Sequence, residues 1–227
     1  MTAPILSPEL ALARLLQLAS PTLPVGAYSY SQGLEAAVEA GLVSTADNAL
    51  RWITDILAYS VARMEAPVLL RLCRAWTAQD AAAVAYWNAL FLASRETAEL
   101  RAETAQMGYS LTRLLDTLAI GTSMTDEEEI AFPTAFARAV AAWRIDPQQA
   151  LVAYLWAWAE NQVMAAVKAV PLGQTDGQRL LLALGATLSE AVMEAARLAD
   201  DELGNFSPGL ALLSARHETQ YSRLFRS

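Results

Sequence analysis

The stretch DPQQALVAYLWAWAENQVMAAVK, residues 146–168, reads as one long helix and sets the fold class. Asp146 stands at the N-cap and Pro147 at the first helical position, where a missing N–H costs nothing. At about 100° per residue, Leu151, Tyr154, Leu155, Trp158 and Ala166 gather on one side. Trp156, Val163 and Val167 lie well round the cylinder, and only Glu160, Asn161 and Lys168 mark a polar side. An apolar arc that wide suits a helix at the centre of a domain, or one whose Trp156 side meets a second subunit. Its most apolar part, Ala150 to Ala159, ends at Glu160-Asn161-Gln162 and is too short to cross a bilayer, so no membrane association is expected.

Outward from this helix the chain keeps the same character. Its 227 residues are 55% hydrophobic and 18% charged. Alanine is abundant and runs of Val, Ile and Thr are scarce, which favours helix over sheet. Ser7-Pro8-Glu9 opens a helix to about Ala19, which Ser20-Pro21-Thr22-Leu23-Pro24-Val25-Gly26 breaks. A short helix runs from about Ser31 to Ala40. Ser44 to Asp47 has capping-box spacing and opens a helix to about Met64. Pro67 starts the next, and Asp80 another. Residues 95–118 are amphipathic, with Leu100, Met107, Leu111, Leu114 and Leu118 on one stripe. Thr125 to Glu129 is a loop or a helix start. Pro171 to Gly177 reads as a turn, Gln178 to Asp201 as a long helix, and Gly204 to Gly209 as a loop before a final helix. About ten helices, no strand and no linker give a single all-α domain over residues 1–227.

Catalytic constellations fail the residue inventory. His217 is the only histidine, so a His-based zinc site lacks ligands. HETQY has Tyr221 where HExxH needs its second histidine. A Ser–His–acid triad could use only His217, beside a terminus expected to be flexible. GQTDGQ, residues 173–178, lacks the spacing and lysine of a P-loop. Glu96, Glu99 and Glu103 share one side of a helix, but without Glu-x-x-His motifs they read as a solvated charged face, with Arg95 and Glu99 at ion-pair spacing. An enzyme, a bound metal and a cofactor are therefore not expected.

The net charge is −8 and the sequence pI about 4.7, a surface that repels phosphate backbones, so nucleic acid is excluded as a partner. The opening residues lack a basic n-region, and the lone Cys73, in an apolar helical setting, reads as a small buried residue of a reducing cytoplasm. The tail RHETQYSRLFRS, residues 216–227, carries the only histidine, three of the sixteen basic residues and two aromatics. That is interface composition. It fits either a docked helix end or a tail that orders against a partner protein.

Four blocks carry a resemblance. LLQLASPTLPVGAYSYSQGLEAAVEAG (15–41), SRETAELRAE (94–103), AAVKAVPLGQTDGQRLL (165–181) and SARHETQYSRLFRS (214–227) are similar to the signature blocks of the urease accessory protein F family (UreF), in family order. The segment from about Leu115 to Pro133 is generic, and Ala27 stands where the family often has glycine. The resemblance implies an all-α, non-catalytic cytoplasmic protein that forms a homodimer and binds UreD (UreH in some lineages). The pair recruits the GTPase UreG to apo-urease for nickel insertion. It further implies partner-binding roles for Tyr28, Lys168, Arg216, His217, Glu218, Tyr221, Arg223, Leu224 and Phe225, with Tyr28 and Arg223 as a pair that helps form the GTPase-facing surface once UreD is bound. Trp156 falls on the family's dimer-forming helix. Two roles stay open: a scaffold, or a direct regulator of UreG. A regulator could be an activator inserting Arg223 or Arg216, or a gate at Lys168.

Overall fold

A computed structural model describes residues 6–122 and 129–227. Helix α1 (Pro8–Ala19) begins where expected, with the Ser7 hydroxyl accepting the Leu10 N–H at 3.3 Å. A 3₁₀ turn at Ala27–Ser29 leads into the short α2 (Leu34–Glu39). Then follow α3 (Ala46–Ile56), α4 (Ala66–Ala78), α5 (Ala81–Ala93), α6 (Ala98–Thr117), α7 (Phe132–Ala142), α8 (Pro147–Ala169), α9 (Gln174–Arg197) and α10 (Pro208–His217). These are ten α-helices, and the described residues contain no strand. The sites of Thr125 to Glu128, read as a loop or helix start, lie outside the described residues.

The central reading of α8 holds along most of its circumference. It packs against α1, α2, α3, α4 and α9, burying Leu151, Tyr154, Leu155, Trp158 and Val163. Asp146 caps it as expected, accepting from the N–H groups of Gln148 and Gln149. Trp156 stays 36% exposed, and its ring lies 3.7 Å from the place a Cβ on Gly185 of α9 would take. Cys73 is buried and its thiol is pushed up to about 12 by loss of solvent, which leaves it unreactive.

Several boundaries differ from the sequence reading, each for a local reason. Thr45, not Ser44, caps α3, accepting from the Asn48 N–H at 3.2 Å. No break separates that helix from α4. The chain runs through a π-helical stretch, Leu57–Glu65. Pro67 has no N–H to offer the Arg63 carbonyl, and that carbonyl instead accepts from Gly204 at 3.2 Å. Helix α9 starts at Gln174 rather than Gln178, so GQTDGQ is helix N-terminus and not a turn. Gly177 lets α9 close on α8, since a Cβ there would stand 3.0 Å from Val167.

Helix α6 is pinned to the segment before α7 with no space between them. A Cβ on Gly108 would stand 1.9 Å from the Ile130 carbonyl oxygen and 2.7 Å from the Ala131 carbonyl carbon. The buried Asn88 of α5 secures the same segment, donating to the Glu129 carbonyl and accepting from Ala131 N–H and the Thr134 hydroxyl. Alanine is a better helix former than glycine by about 1 kcal/mol. Gly108→Ala should nevertheless lose roughly 2–4 kcal/mol in chemical denaturation, because the clash is with backbone. Unchanged or increased stability would show that α6 and α7 can separate without cost.

Candidate functional site

The site is built where α10 crosses α2. Gly33, at φ +77°, starts α2 with a left-handed turn, and a Cβ there would stand 3.1 Å from Leu210 of α10. This approach carries the end of α10 over the first turn of α2. Beyond His217 the tail runs back along residues 29–31. Arg226 N–H donates to the Ser29 carbonyl at 2.7 Å, and Ser31 donates to the Ser227 carbonyl from its N–H at 2.7 Å and its hydroxyl at 2.6 Å. Of the two readings of the tail, the structure displays the docked one, with Phe225 and Ser227 buried.

Buried carboxylates fasten it. Glu35 of α2 accepts from the Leu224 N–H at 2.7 Å and the Phe225 N–H at 3.0 Å, and lies 3.2 Å from His217 Nε2. Glu99 of α6 meets His217 Nδ1 at 2.7 Å with one oxygen and Arg223 Nη1 at 2.7 Å with the other. Glu103, one turn on, accepts from the Ser227 hydroxyl at 2.8 Å and Gln32 Nε2 at 2.7 Å. Trp158 Nε1 holds Gln32 from the other side at 2.8 Å. Glu218 turns back to cap α6, accepting from the N–H groups of Ala98 and Glu99.

This corrects the expected solvated face. Only Glu96 is exposed. It precedes Thr97, the N-cap of α6, while Glu99 and Glu103 are covered by the tail. Arg95 does not pair with Glu99 either. It lies before the helix, 3.5 Å from Glu65 and 4.3 Å over the Phe91 ring. The flexible terminus expected around His217 is likewise replaced by an imidazole with 0% exposure.

The remaining expected residues fall into two groups. Tyr28, Lys168, Leu224 and Phe225 line one surface groove together with Ser29 and Arg226. Tyr28 and Leu224 are exposed there, and the Lys168 ammonium sits 5.8 Å from the Phe225 ring centroid. Arg223 is bound to Glu99 and not to Tyr28. Arg226 instead bonds Tyr30, a buried phenol whose pKa is raised by burial and by the charge of Glu103. Arg216 and Tyr221 are exposed and do not line the groove, and Trp156 lies on α8 facing Gly185 of α9. Sequence reasoning missed Glu35, Gln32, Tyr30 and Arg226. The signal for Glu35 was present, since it is the one charge in Leu34–Val38.

Inward from Tyr28 and Lys168 runs a cavity of about 190 Å³ that reaches Arg95, Glu65, Tyr154 and Glu103. The Tyr154 hydroxyl donates to Glu65, and burial first, then the Glu65 charge, holds Tyr154 well above the usual phenol range. Among the described residues no group of three or more His, Cys, Asp or Glu side chains is placed to hold a metal ion. No described helix is long and apolar enough to cross a membrane.

Comparison with known proteins agrees with the four blocks. A family model described as UreF matches residues 43–185, which include Glu99, Glu103, Trp156 and Lys168. The urease accessory protein UreF of Azoarcus sp. (strain BH72) is 60% identical over 225 residues, covering 96% of this chain and 96% of that protein. That of Dechloromonas aromatica (strain RCB) is 57% identical over 224 residues, covering 96% and 98%. That of Janthinobacterium sp. (strain Marseille) is 54% identical over 222 residues, covering 96% and 98%.

Glu103 makes the site pH-sensitive. Burial pushes its carboxyl from the ordinary 4.5 up to about 7, against the hydrogen bonds from Gln32 and Ser227. The folded protein therefore keeps this proton over a range in which the unfolded chain has lost it. The stability that protonation confers is complete below about pH 4.5 and is lost as pH rises to about 7. In denaturant melts from pH 4.5 to 8, Glu103→Gln should gain on the parent protein by on the order of 3 kcal/mol. A constant difference across that window would show that Glu103 titrates normally.

Proposed function

This chain belongs to the UreF family, and on that premise we propose that it is a non-catalytic scaffold of urease maturation. It acts in the cytoplasm as a homodimer, binds UreD or UreH, and brings the GTPase UreG to apo-urease for nickel insertion. The single observation that carries the reading is the groove at the docked tail. There Tyr28, Lys168, Leu224 and Arg226 present cations and apolar surface side by side. That mixture is characteristic of protein interfaces, and on a chain of net charge −8 it is a local reversal of sign suited to an acidic partner surface. The exposed Val152 and Trp156 of α8 and Leu182 of α9 support the subunit contact on a separate face.

The regulatory reading takes its form from Arg223. Its guanidinium is engaged by Glu99, whereas Lys168 stands at the groove with its ammonium over Phe225. This favours a gate at Lys168 over an arginine finger at Arg223, while Arg216 is exposed.

The test is co-purification with UreD and UreG. The full chain should assemble, a chain ending at Ala215 should not, and Arg223→Ala should weaken UreG capture about tenfold with the dimer intact in light scattering. Equal assembly by the truncated chain would remove the tail from recruitment. In the same reconstitution, Lys168→Ala should change UreG turnover if Lys168 gates it. An unchanged rate would leave scaffolding alone.

A further inference from the structure

The loop of residues 218–223 links two points that must be held together. One is His217, at the end of α10, and the other is the Leu224–Phe225 pair. A single side chain touches both. Glu35 takes two successive backbone N–H groups, from Leu224 on one oxygen and Phe225 on the other, and the second oxygen also faces His217 Nε2. It does so from a buried position in the first turn of α2, where the helix dipole favours a negative charge. Glu99 bridges His217 and Arg223 through side chains only, each at 2.7 Å, and the remaining tail anchors act elsewhere. Arg226 and Ser227 bond to residues 29–31 and Glu103, and Glu218 bonds to the start of α6. Within the loop, Arg223 is tied to Glu99 through a side chain that is 39% exposed.

We propose that Glu35 is the positioning residue of the tail: its carboxylate closes the 218–223 loop and sets the geometry in which Arg223, Leu224 and Arg226 are presented beside Tyr28 and Lys168. The proposal rests on the reading of that groove as the partner-binding face. Its chemistry follows from the acceptor count. A carboxyl group offers an acceptor on each of its two oxygens, one for each of the two backbone N–H groups. An amide of the same shape turns one acceptor into a donor that points at a backbone N–H. The neighbouring charges close the account, since Glu35 and Glu99 face His217 and Arg223 across the same interface. Closing a short loop at its ends removes most of its freedom, so loss of one clamp should release the whole segment and not one contact.

The experiment is amide hydrogen exchange on the full chain, with Glu35→Gln and Glu35→Asp beside the parent protein. UreD–UreG binding is measured on the same preparations. In Glu35→Gln the Leu224 and Phe225 amides should exchange at least about tenfold faster while amides of α8 keep their protection, and UreG capture should fall by a similar factor. Glu35→Asp keeps the charge one methylene short and should fall between. If Glu35→Gln also loses protection in α8, the aspartate variant carries the comparison. Tail exchange within twofold of the parent in the variant that keeps α8 protected would overturn the proposal. Faster tail exchange with unchanged UreG capture would uphold the clamp and overturn the groove as the recruiting face.

Discussion

Two peptide N–H groups closing on one buried carboxylate, those of Leu224 and Phe225 on Glu35, are the constraint on which the docking of the tail depends. A charge withdrawn from water is tolerated only when its acceptor sites are filled. Here the tail fills them. Remove the tail and Glu35, Glu99 and Glu103 lose partners together, since each is bonded to a residue at or beyond position 217. The tail is therefore a structural component of α2 and α6 as much as an appendage. Its order and the solvation of those carboxylates are the same equilibrium seen from two sides.

The same logic runs inward. Glu65, Arg95 and Tyr154 form a second polar group beneath the first, with Arg95 lying over the Phe91 ring. Gln32 joins the layers, accepting from Trp158 of the central helix and donating to Glu103. A perturbation at the tail is thus coupled through hydrogen bonds to α8, the helix that carries Lys168 at its end and the half-exposed Trp156 further along.

How legible this was in the chain varies with the kind of signal. Helices announced by a cap and a proline, such as those after Ser7 and Asp146, were placed within a residue. Helix α7 has Pro133 in its first turn but Ala131 at its N-cap with no side-chain cap, and Pro133 through Val140 are all buried, so only half of the usual mark was there to read. The π-helical passage before Pro67 was read as a break, because a proline looks the same whether or not another backbone N–H reaches the carbonyl it releases. At the site, the tail and Tyr28 were legible from composition and from the family blocks. The contact of Arg223 with Glu99 was not legible, because the two residues lie 124 positions apart in the chain.

By itself the sequence determined the helical class, the start of the long helix at Pro147 and the width of its apolar arc. Those properties follow from local propensity, capping and the periodicity of apolar side chains, all written in neighbouring residues. Only the tertiary structure decided that Glu99 and Glu103 are covered rather than solvated, and that Glu35 holds a segment 189 residues away. Periodicity tells which side of a helix a carboxylate occupies. What lies against that side is settled by α10 crossing α2 at Gly33, a contact between distant parts of the chain that no local pattern encodes.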